Sequence, residues 1–507
     1  MTEAAKRAAA GTAAEPQSSH REILRSSSIV GGAAAFNIVA GLVRMKLVAV
    51  LLGPAGVGLT VLLQNLMQTF GAVAGLSLAS VGTRQIAEAN GTGDARQLAI
   101  VRRALSWAVM VLAIAGGIAF LIASPWAAGA LADDAEIGGP VAWLAVGIAL
   151  SVVAQGQSAL LTGYRRIGDL ARLSIVSVNI AAVIGIVAIL VWRGGGILVF
   201  VMAQLVVTAI AGMFYVRRLP AAPPEAVSFA ELKPQWSAML RLGVALTIAA
   251  TAVTGGQLAA RMLIQRDLGA AAVGYFQASW LVSVTYIGFV LQAMGTDFYP
   301  RLTAAMRDPA AANTMVNEQT EVALLLAAPV LLGALGAAPW IVPLLYSRAF
   351  DPAVAVLQWQ VLGDVLKVAS WPLGFLLLAS GASRAFMLAE IVAIAVLLAV
   401  LVLGLPLAGL QAGGIAVTAM YLFYLPCVYA VARARTGFGW SRLNLVLLAG
   451  LAGSAIATLI VSRVSPIGGG VLGVTLAAGA GGVCLWRLRD AMPGPVAAVM
   501  ARVRRIF

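Results

Sequence analysis

Long apolar runs separated by short polar segments cover almost the whole chain. Each run holds about 20 residues or more, which is enough to cross a bilayer as an α-helix. A membrane β-barrel would show alternation over segments of about 10 residues instead. The pattern therefore predicts an all-α membrane protein with about fourteen transmembrane helices. They are expected near 26–50, 56–78, 104–124, 139–161, 173–192, 196–216, 239–264, 272–296, 320–342, 354–379, 385–405, 411–432, 443–462 and 467–486.

Composition agrees with this pattern. The chain has 507 residues, of which 61% are hydrophobic and 11% charged, whereas a soluble protein carries about 25% charged residues. Cys427 and Cys484 both lie in apolar runs, where we expect small buried side chains and no disulfide. The only histidine, His20, lies in the polar N-terminal segment, so we predict no catalytic residues and no metal site. No apolar signal-peptide core precedes the first run.

The net charge of +14 follows the loops. Twenty-six of the 34 basic residues lie in the two termini and in every second loop, a distribution that places these segments in the cytoplasm. We therefore expect a bacterial inner-membrane protein with both termini cytoplasmic. The counterpart of the charge is the anionic leaflet of the membrane, and nucleic acid is not an expected partner. The other loops hold only Arg193, Arg266, Arg348 and Arg463.

Short motifs recur at a nearly constant offset of 216 to 218 residues. Each pair occupies the same place in the predicted topology, which chance does not explain. The pairs are Leu52–Gly58 with Leu268–Gly274, Arg84 with Arg301, Leu160–Gly163 with Ala379–Gly381, and Gly195–Ile197 with Gly413–Ile415. Two parallel lobes of six helices each are therefore predicted, an architecture known from transporters.

The repeat defines the expected domains. A disordered cytoplasmic tail over 1–23 precedes an N-terminal lobe over 24–216, and a proline-rich cytoplasmic linker over 217–238 leads to a C-terminal lobe over 239–435. Two further helices occupy 436–486, and a basic cytoplasmic tail covers 487–507. The end of that tail mixes apolar residues with arginines, which fits either an amphipathic surface helix or a frayed terminus.

Four basic residues fall inside predicted spans, where each costs about 2.5–3.5 kcal/mol at a helix centre. Such residues face a hydrated cavity, pair with a carboxylate or extend to the membrane surface. Because their charge is positive, the expected cargo has an anionic head group, and arginine suits a pyrophosphate. The predicted binding residues are Arg44, Lys46, Arg261 and Lys367, with Gln64 and Asn65 as candidate polar residues of the cavity wall.

Arg44 and Lys46 cannot both face one cavity. They are two positions apart, which separates them by about 200° around a helix, and Lys46 could instead extend to the membrane surface. Arg261 occupies the repeat position of Met45, between them. Two lobes thus place cations at equivalent depth, as expected of positive charge around a shared cavity.

Acidic residues in or near the spans are candidates for ion coupling or gating. Asp364 and Lys367 are three residues apart on one helix face, which fits either an internal ion pair or an ion-sensitive pair beside the cavity. Asp297 and Glu390 are the other two candidates. Both fit an alternative as interface residues at the cytoplasmic side, with Arg301 or Arg384 as partners.

Two stretches resemble a known family. The first hairpin, from Gly41-Leu42 through Lys46-Leu47 to Leu52–Gly56, resembles that of Wzx-type polysaccharide repeat-unit flippases. The stretch Trp359–Val368, continuing to Leu388-Ala389-Glu390, is similar to the enterobacterial common antigen and O-antigen flippases. The similarity covers roughly residues 24–435. Its superfamily, the multidrug/oligosaccharidyl-lipid/polysaccharide exporters, has two six-helix bundles that form a V-shaped cavity.

The resemblance implies a substrate and roles for single residues. The substrate is an undecaprenyl-pyrophosphate-linked oligosaccharide, flipped from the cytoplasmic to the periplasmic leaflet for surface polysaccharides such as O-antigen, lipopolysaccharide or exopolysaccharide. Lys46 matches a lysine of the common-antigen type, and Arg44 matches a cavity arginine of the related lipid II flippases. Asp364 and Lys367 match a motif with a structural or coupling role. Fourteen spans depart from the twelve of many members of the subgroup.

The leading hypothesis is a flippase that works by alternating access and is not an enzyme. The chain has no phosphate-binding motif for ATP, so we expect no cofactor and coupling to an ion gradient or the membrane potential. Besides the lipid-linked substrate and membrane lipids, a polysaccharide polymerase or chain-length machinery is an expected partner. The alternatives are a lipid II flippase, a cation antiporter, which needs intramembrane carboxylates, a membrane enzyme, which needs a large catalytic loop, and a scaffold.

Overall fold

The computed structural model describes residues 15–131, 141–220 and 227–488, and these residues form helices and no β-strands. A short 3₁₀ turn, Arg348–Phe350, lies between α9 and α10. The helices are α1 Glu15–Gly75, α2 Leu78–Thr92, α3 Ala95–Leu131, α4 Leu144–Gly163, α5 Ile167–Val191, α6 Arg193–Val216, α7 Phe229–Leu268, α8 Ala270–Ala305, α9 Pro309–Leu345, α10 Ala353–Ala379, α11 Ser383–Ala408, α12 Gln411–Thr436, α13 Arg442–Val464 and α14 Pro466–Leu488.

Twelve helices within the described ranges are long and apolar enough to cross a membrane, so the all-α multi-span architecture is confirmed. One of the twelve, Ala40–Gly75, overlaps both of the first two predicted spans, 26–50 and 56–78. The eighth predicted span lies in α8, which is not among them. The expected number of fourteen spans therefore stays a prediction, and so does the cytoplasmic placement of the termini.

Two glycines interrupt the helices at equivalent points of the sequence repeat. Gly53 breaks α1 with φ 65° and ψ −173°, and Gly269 separates α7 from α8 with φ 81° and ψ 176°. This backbone conformation is open almost only to glycine, because it has no Cβ. The two positions are 216 residues apart, so the motif Leu-Gly recurs together with its local structure.

The chain divides into two compact units. The first comprises the chain up to Leu51 together with Leu63–Thr254, and the second comprises Leu52–Leu62 together with the chain from Gly255 onward. A buried apolar cluster of the first unit includes Ile86, Leu105 and Val152. The predicted domain limits differ from these boundaries and stay predictions.

The second unit packs α9 closely against α14. A Cβ added at Gly336 would lie 2.7 Å from the Cα of Gly473, so only glycine fits at this crossing. Small residues allow helix backbones to approach inside a membrane, where van der Waals packing drives association. This contact packs α14 against α9. Both α13 and α14 belong to the second unit.

Several predicted segments lie partly outside the described residues. Helix α1 begins at Glu15, within the tail predicted over 1–23, and residues 1–14 are not described. Helix α7 begins at Phe229, within the linker predicted over 217–238. The acidic residues Asp133, Asp134 and Glu136 of a predicted loop, and most of the basic C-terminal tail, lie outside the described ranges.

Candidate functional site

Arg44 lies in the first unit, on the part of α1 that precedes the break at Gly53. Its side chain is half-buried. The guanidinium Nη1 donates a hydrogen bond of 3.2 Å to Oε1 of Gln204, and its carbon lies 5.4 Å from the ring centre of Phe200. Both partners belong to α6, where they are one helical turn apart. Helix α6 thus offers Arg44 a neutral acceptor and an aromatic face.

Arg261 lies in the second unit and is 3% exposed. Its Nε and Nη2 both donate to Oε1 of Gln277, at 3.2 and 2.9 Å, and its Nη1 donates to the backbone oxygen of Gln257 at 3.0 Å. The rings of Phe276 and Trp280 lie 5.7 and 5.5 Å from the guanidinium carbon. Helix α8 therefore encloses this side chain almost completely.

The two arginines share one chemical arrangement, a glutamine oxygen with an aromatic ring beside it. Neither forms a salt bridge with a carboxylate among the described residues. A neutral acceptor satisfies part of the hydrogen bonding of a guanidinium and leaves its charge uncompensated. Such a charge is costly inside a membrane, and an anionic group is the ligand that would compensate it.

The other predicted residues of the cationic site have different surroundings. Lys46 is exposed, whereas Arg44 is half-buried, as expected of two positions on nearly opposite sides of a helix. Gln64 and Asn65 lie beyond Gly53 on the same helix and are half-buried.

A second polar group occupies the interior of the second unit, between α8 and α10. Asp364 is 2% exposed, and its Oδ2 accepts a hydrogen bond from Ser283. Nζ of Lys367 lies 3.9 Å from the other oxygen, Oδ1. The two residues are one turn apart on α10, as their spacing in the sequence predicts. They form an internal ion pair with a long contact.

Residues from α11 and α12 extend this group. Nζ of Lys367 lies 5.9 Å from the centre of the Tyr421 ring, and the two side chains interact electrostatically. Tyr424, on the same helix, interacts electrostatically with Glu390 of α11. We call Ser283, Asp364, Lys367, Glu390, Tyr421 and Tyr424 the acid–base network. Besides Arg261, the sequence predicted four charged candidates in the second unit. The network contains three of them, Asp364, Lys367 and Glu390.

Gln360 lies one turn before Asp364 on the same face of α10. Its side chain is fully buried at 0% exposure, and neither its Oε1 nor its Nε2 has a hydrogen-bond partner among the described residues. Buried amides are nearly always hydrogen-bonded. Gln360 therefore adds unsatisfied donors and an unsatisfied acceptor beside the acid–base network.

Asp297 does not join this network. Its side chain is 73% exposed and forms a salt bridge of 3.0 Å with Arg301, four residues later on α8. Its surroundings are those of the interface residue that the sequence allowed as an alternative. Within the described residues, no cluster of three or more His, Cys, Asp or Glu side chains is placed to hold a metal ion.

The sequence indicated the charged residues of these sites and missed their neutral partners. Gln204 and Gln277 lie inside apolar runs, and a search for neutral polar residues within spans would have found them as it found Gln64. The pairing itself carried no signal, because Gln204 is 160 residues from Arg44. Tyr421 and Tyr424 were missed because a tyrosine in an apolar run usually contributes packing.

Comparisons with known proteins agree with the fold. A family model described as polysaccharide biosynthesis protein matches residues 45–355. The lipid III flippases of Escherichia coli (strain K12) and Shigella flexneri are each 26% identical over 375 residues, which cover 70% of this chain and 84% of those proteins.

Two solved structures are similar along most of the chain. The lipid II flippase MurJ, in an inward closed conformation, superimposes with a TM-score of 0.70 at 11% identity and covers 90% of this chain and 99% of its own. An inward-facing multidrug resistance transporter of the MATE family and the MOP superfamily gives a TM-score of 0.64 at 14% identity, over 79% of this chain and 94% of its own. At such identities the likeness shows a common fold.

Proposed function

The chain belongs to the polysaccharide biosynthesis protein family, and from that premise we propose that it is a flippase for a lipid-linked oligosaccharide. The substrate is an undecaprenyl-pyrophosphate-linked repeat unit, moved from the cytoplasmic to the periplasmic leaflet of the inner membrane. The name of the Escherichia coli relative, lipid III flippase, supports a lipid-linked substrate. The relatives named above are transporters, which favours transport over catalysis.

One observation carries the proposal. Each of the two units holds an intramembrane guanidinium that is bound by a glutamine oxygen and by no described carboxylate. A pyrophosphate offers several anionic oxygens, and arginine binds such groups with two parallel hydrogen bonds. The cost of an uncompensated charge in the membrane is then offset each time the substrate is bound. A cation transporter would need uncompensated carboxylates instead.

In an alternating-access cycle, Arg44 and Arg261 bind the head group either in different steps or at the same time. The polyprenyl chain stays in lipid while the glycan passes through a hydrated space. In this proposal the acid–base network supplies the coupling to an ion gradient or the membrane potential, because it combines the buried Asp364 with two half-buried titratable residues, Lys367 of α10 and Glu390 of α11. Surface polysaccharide synthesis, with a polymerase acting on the flipped unit, is the expected pathway.

A second candidate function is the transport of lipid II, the peptidoglycan precursor. The observation that favours it is the extent of the structural likeness, since the MurJ superposition covers 90% of this chain whereas the MATE superposition covers 79%. Both candidates share the polyprenyl-pyrophosphate chemistry and differ in the glycan.

Complementation tests the proposal and separates the two candidates. The protein is expressed in an Escherichia coli strain that lacks its lipid III flippase and in one depleted of its lipid II flippase, and the protein level in the membrane is measured. We expect surface glycan to return in the first strain and growth to fail in the second. Rescue of the second strain alone would assign the chain to lipid II, and rescue of neither by a membrane-inserted protein would contradict the proposal.

The role of the arginines is tested in the same strain. Arg44→Ala and Arg261→Ala are expected to abolish glycan export at an unchanged level of protein in the membrane. Arg266→Ala is the matched control, because Arg266 is an exposed arginine of α7 whose Nε lies 2.7 Å from the neighbouring Asp267. Full export by both Arg44→Ala and Arg261→Ala would show that these charges do not bind the substrate.

A further inference from the structure

The first unit contains an apolar pocket whose lining includes neither of the two arginines and no residue of the acid–base network. Its volume is about 230 Å³, and its wall contains no exposed polar surface. The pocket is built from the start of α2, the middle of α3 and the first turns of α7. Its lining residues are Leu76, Leu78, Trp107, Ala108, Val111, Leu112, Trp236, Met239 and Leu240.

Two contacts hold α3 and α7 side by side at this pocket. Near the first turn of both helices, Nη2 of Arg96 lies 2.8 Å from Oε1 of Glu231. Further along both helices, Nε1 of Trp236 on α7 donates to the backbone oxygen of Ala104 on α3 at 3.0 Å. The two helices therefore run in the same direction, and their N-terminal ends lie at the same level. The pocket begins just beyond the second contact.

The pocket opens outward between exposed apolar side chains. Trp107 is 47% exposed and Leu240 is 50% exposed, although both line the cavity. Leu76 forms part of the floor, and its backbone has a positive φ of 43°. Its oxygen would lie only 2.5 Å from a Cβ at position 243, so Gly243 is required there. An apolar recess with an open side and a preformed floor is suited to one end of a hydrocarbon chain.

Two basic side chains stand at the N-terminal edge of this opening. Arg103 is one turn before Trp107 on the same face of α3, and Lys233 is one turn before Trp236 on α7. Both are exposed, and neither has a hydrogen bond, salt bridge or ring contact within the described part of the chain. Their neighbour Arg102 is different, because its Nη1 donates to the Tyr164 hydroxyl at 3.2 Å.

We propose that this pocket binds an anionic phospholipid, with the end of one acyl chain among Trp107, Trp236 and Leu240 and the head-group phosphate on Arg103 and Lys233. The positive-inside pattern predicts that this end of α3 and α7 faces the cytoplasmic leaflet, where anionic lipids and basic side chains attract each other. Tryptophan is typical of the boundary between hydrocarbon and head groups. The site is independent of the proposed cargo.

The charges decide between this occupant and a neutral lipid. Arg102, Arg103 and Lys233 are all near the opening, but Arg102 is already engaged with Tyr164 and with the backbone oxygen of Pro220. Two cations remain for one phosphate, and a zwitterionic lipid would bring its own ammonium group to them. A bound phospholipid at this position would brace α3 against the first turns of α7.

Fluorescence quenching tests the proposal on the full-length protein. The protein is reconstituted in phosphatidylcholine vesicles, and phosphatidylglycerol or phosphatidylcholine with brominated acyl chains is added in matched amounts. We expect brominated phosphatidylglycerol to quench tryptophan fluorescence at a lower mole fraction than the brominated neutral lipid. Trp107→Phe, which keeps an apolar wall, should remove part of this selective quenching, and equal quenching by both lipids in the unmodified protein would overturn the proposal.

Charge variants locate the head group. Arg103→Gln combined with Lys233→Gln should raise the mole fraction of brominated phosphatidylglycerol needed for half-quenching by about fivefold for each cation removed. Arg307→Gln is the matched control, since Arg307 is an exposed arginine in the second unit. An unchanged midpoint in the double variant would overturn the proposal. Reversal of the quenching by unlabelled undecaprenyl phosphate and not by unlabelled phosphatidylglycerol would also overturn it, in favour of a polyprenyl chain.

Discussion

The two arginine sites and the acid–base network differ in how an intramembrane positive charge is compensated. Lys367 has a carboxylate, Asp364, at 3.9 Å, and the tyrosines of α12 complete its surroundings. Arg44 and Arg261 have glutamine oxygens and aromatic rings, and no described carboxylate. A balanced charge needs no external ligand, whereas an unbalanced one attracts an anion. This difference is the reason why we propose the arginines for substrate binding and the network for stability or coupling.

The two arginines also differ from each other. Arg261 uses three of its nitrogens on Gln277 and Gln257, and Arg44 uses one on Gln204. In the conformation described, Arg44 has more hydrogen-bonding capacity left for a ligand. Arg261 would have to exchange Gln277 for the substrate, which suits a site that engages in a later step.

The largest effect is expected from breaking the balance in the network. Asp364→Asn should lower the free energy of unfolding by up to about 3–5 kcal/mol, because Lys367, whose side chain is 21% exposed, loses its counter-charge. Adding Lys367→Met should recover most of this loss. Arg261→Met strands no counter-charge and should cost less than Asp364→Asn. Thermal unfolding of the detergent-solubilised variants measures all three, and an Arg261→Met variant as unstable as Asp364→Asn would erase the distinction.

A smaller effect is expected from removing the glutamine acceptors. Gln277→Leu takes away the oxygen that binds two nitrogens of a guanidinium that is 3% exposed, which should cost about 1–3 kcal/mol. Gln204→Leu should cost less, because Arg44 is half-buried and donates to Gln204 through one nitrogen only. Unfolding temperatures of the two variants check the order. Gln155→Leu on α4 serves as the control, because Nε2 of Gln155 donates to the backbone oxygen of Gly71 and the side chain is bonded to neither arginine. The reverse order would contradict the geometry.

The smallest effect is expected from the aromatic rings. Phe200→Leu and Phe276→Leu each remove one cation–π contact, which should cost about 0.5–2 kcal/mol. The loss should be larger at Phe276, where the arginine is more deeply buried, although Trp280 remains there as a second ring. Equal unfolding temperatures for both variants and the unmodified protein would show that the rings act only in packing.

The sequence predicted much of the fold because the apolar runs are long and because the motif Leu52-Gly53-Pro54 separates the first two of them. The two spans predicted near 26–50 and 56–78 correspond to the parts of α1 before and after Gly53, where the backbone leaves the helical conformation. The repeat was visible at Gly53 and Gly269, and both positions share their backbone conformation.

The candidate site was only half predictable. Hydropathy exposes a charge inside a span, so Arg44, Arg261 and the pair Asp364–Lys367 could be found. The pairing of the arginines with particular glutamines and aromatic rings could not be predicted, because tertiary packing decides which side chains face each other. Glu390 shows this most clearly, since the sequence offered Arg384 or Arg301 as its partner, whereas in the structure it interacts electrostatically with Tyr424.

The most direct test of the central claim is transport by the purified protein. Proteoliposomes are loaded with an undecaprenyl-pyrophosphate oligosaccharide, and its appearance in the opposite leaflet is followed for the unmodified protein, Arg44→Ala, Arg261→Ala and the control Arg266→Ala. We predict transport by the unmodified protein and the control, and a loss of about 10- to 100-fold in each of the other variants, because each loses charged hydrogen bonds to the pyrophosphate. Transport at the unmodified rate by both Arg44→Ala and Arg261→Ala would contradict the account.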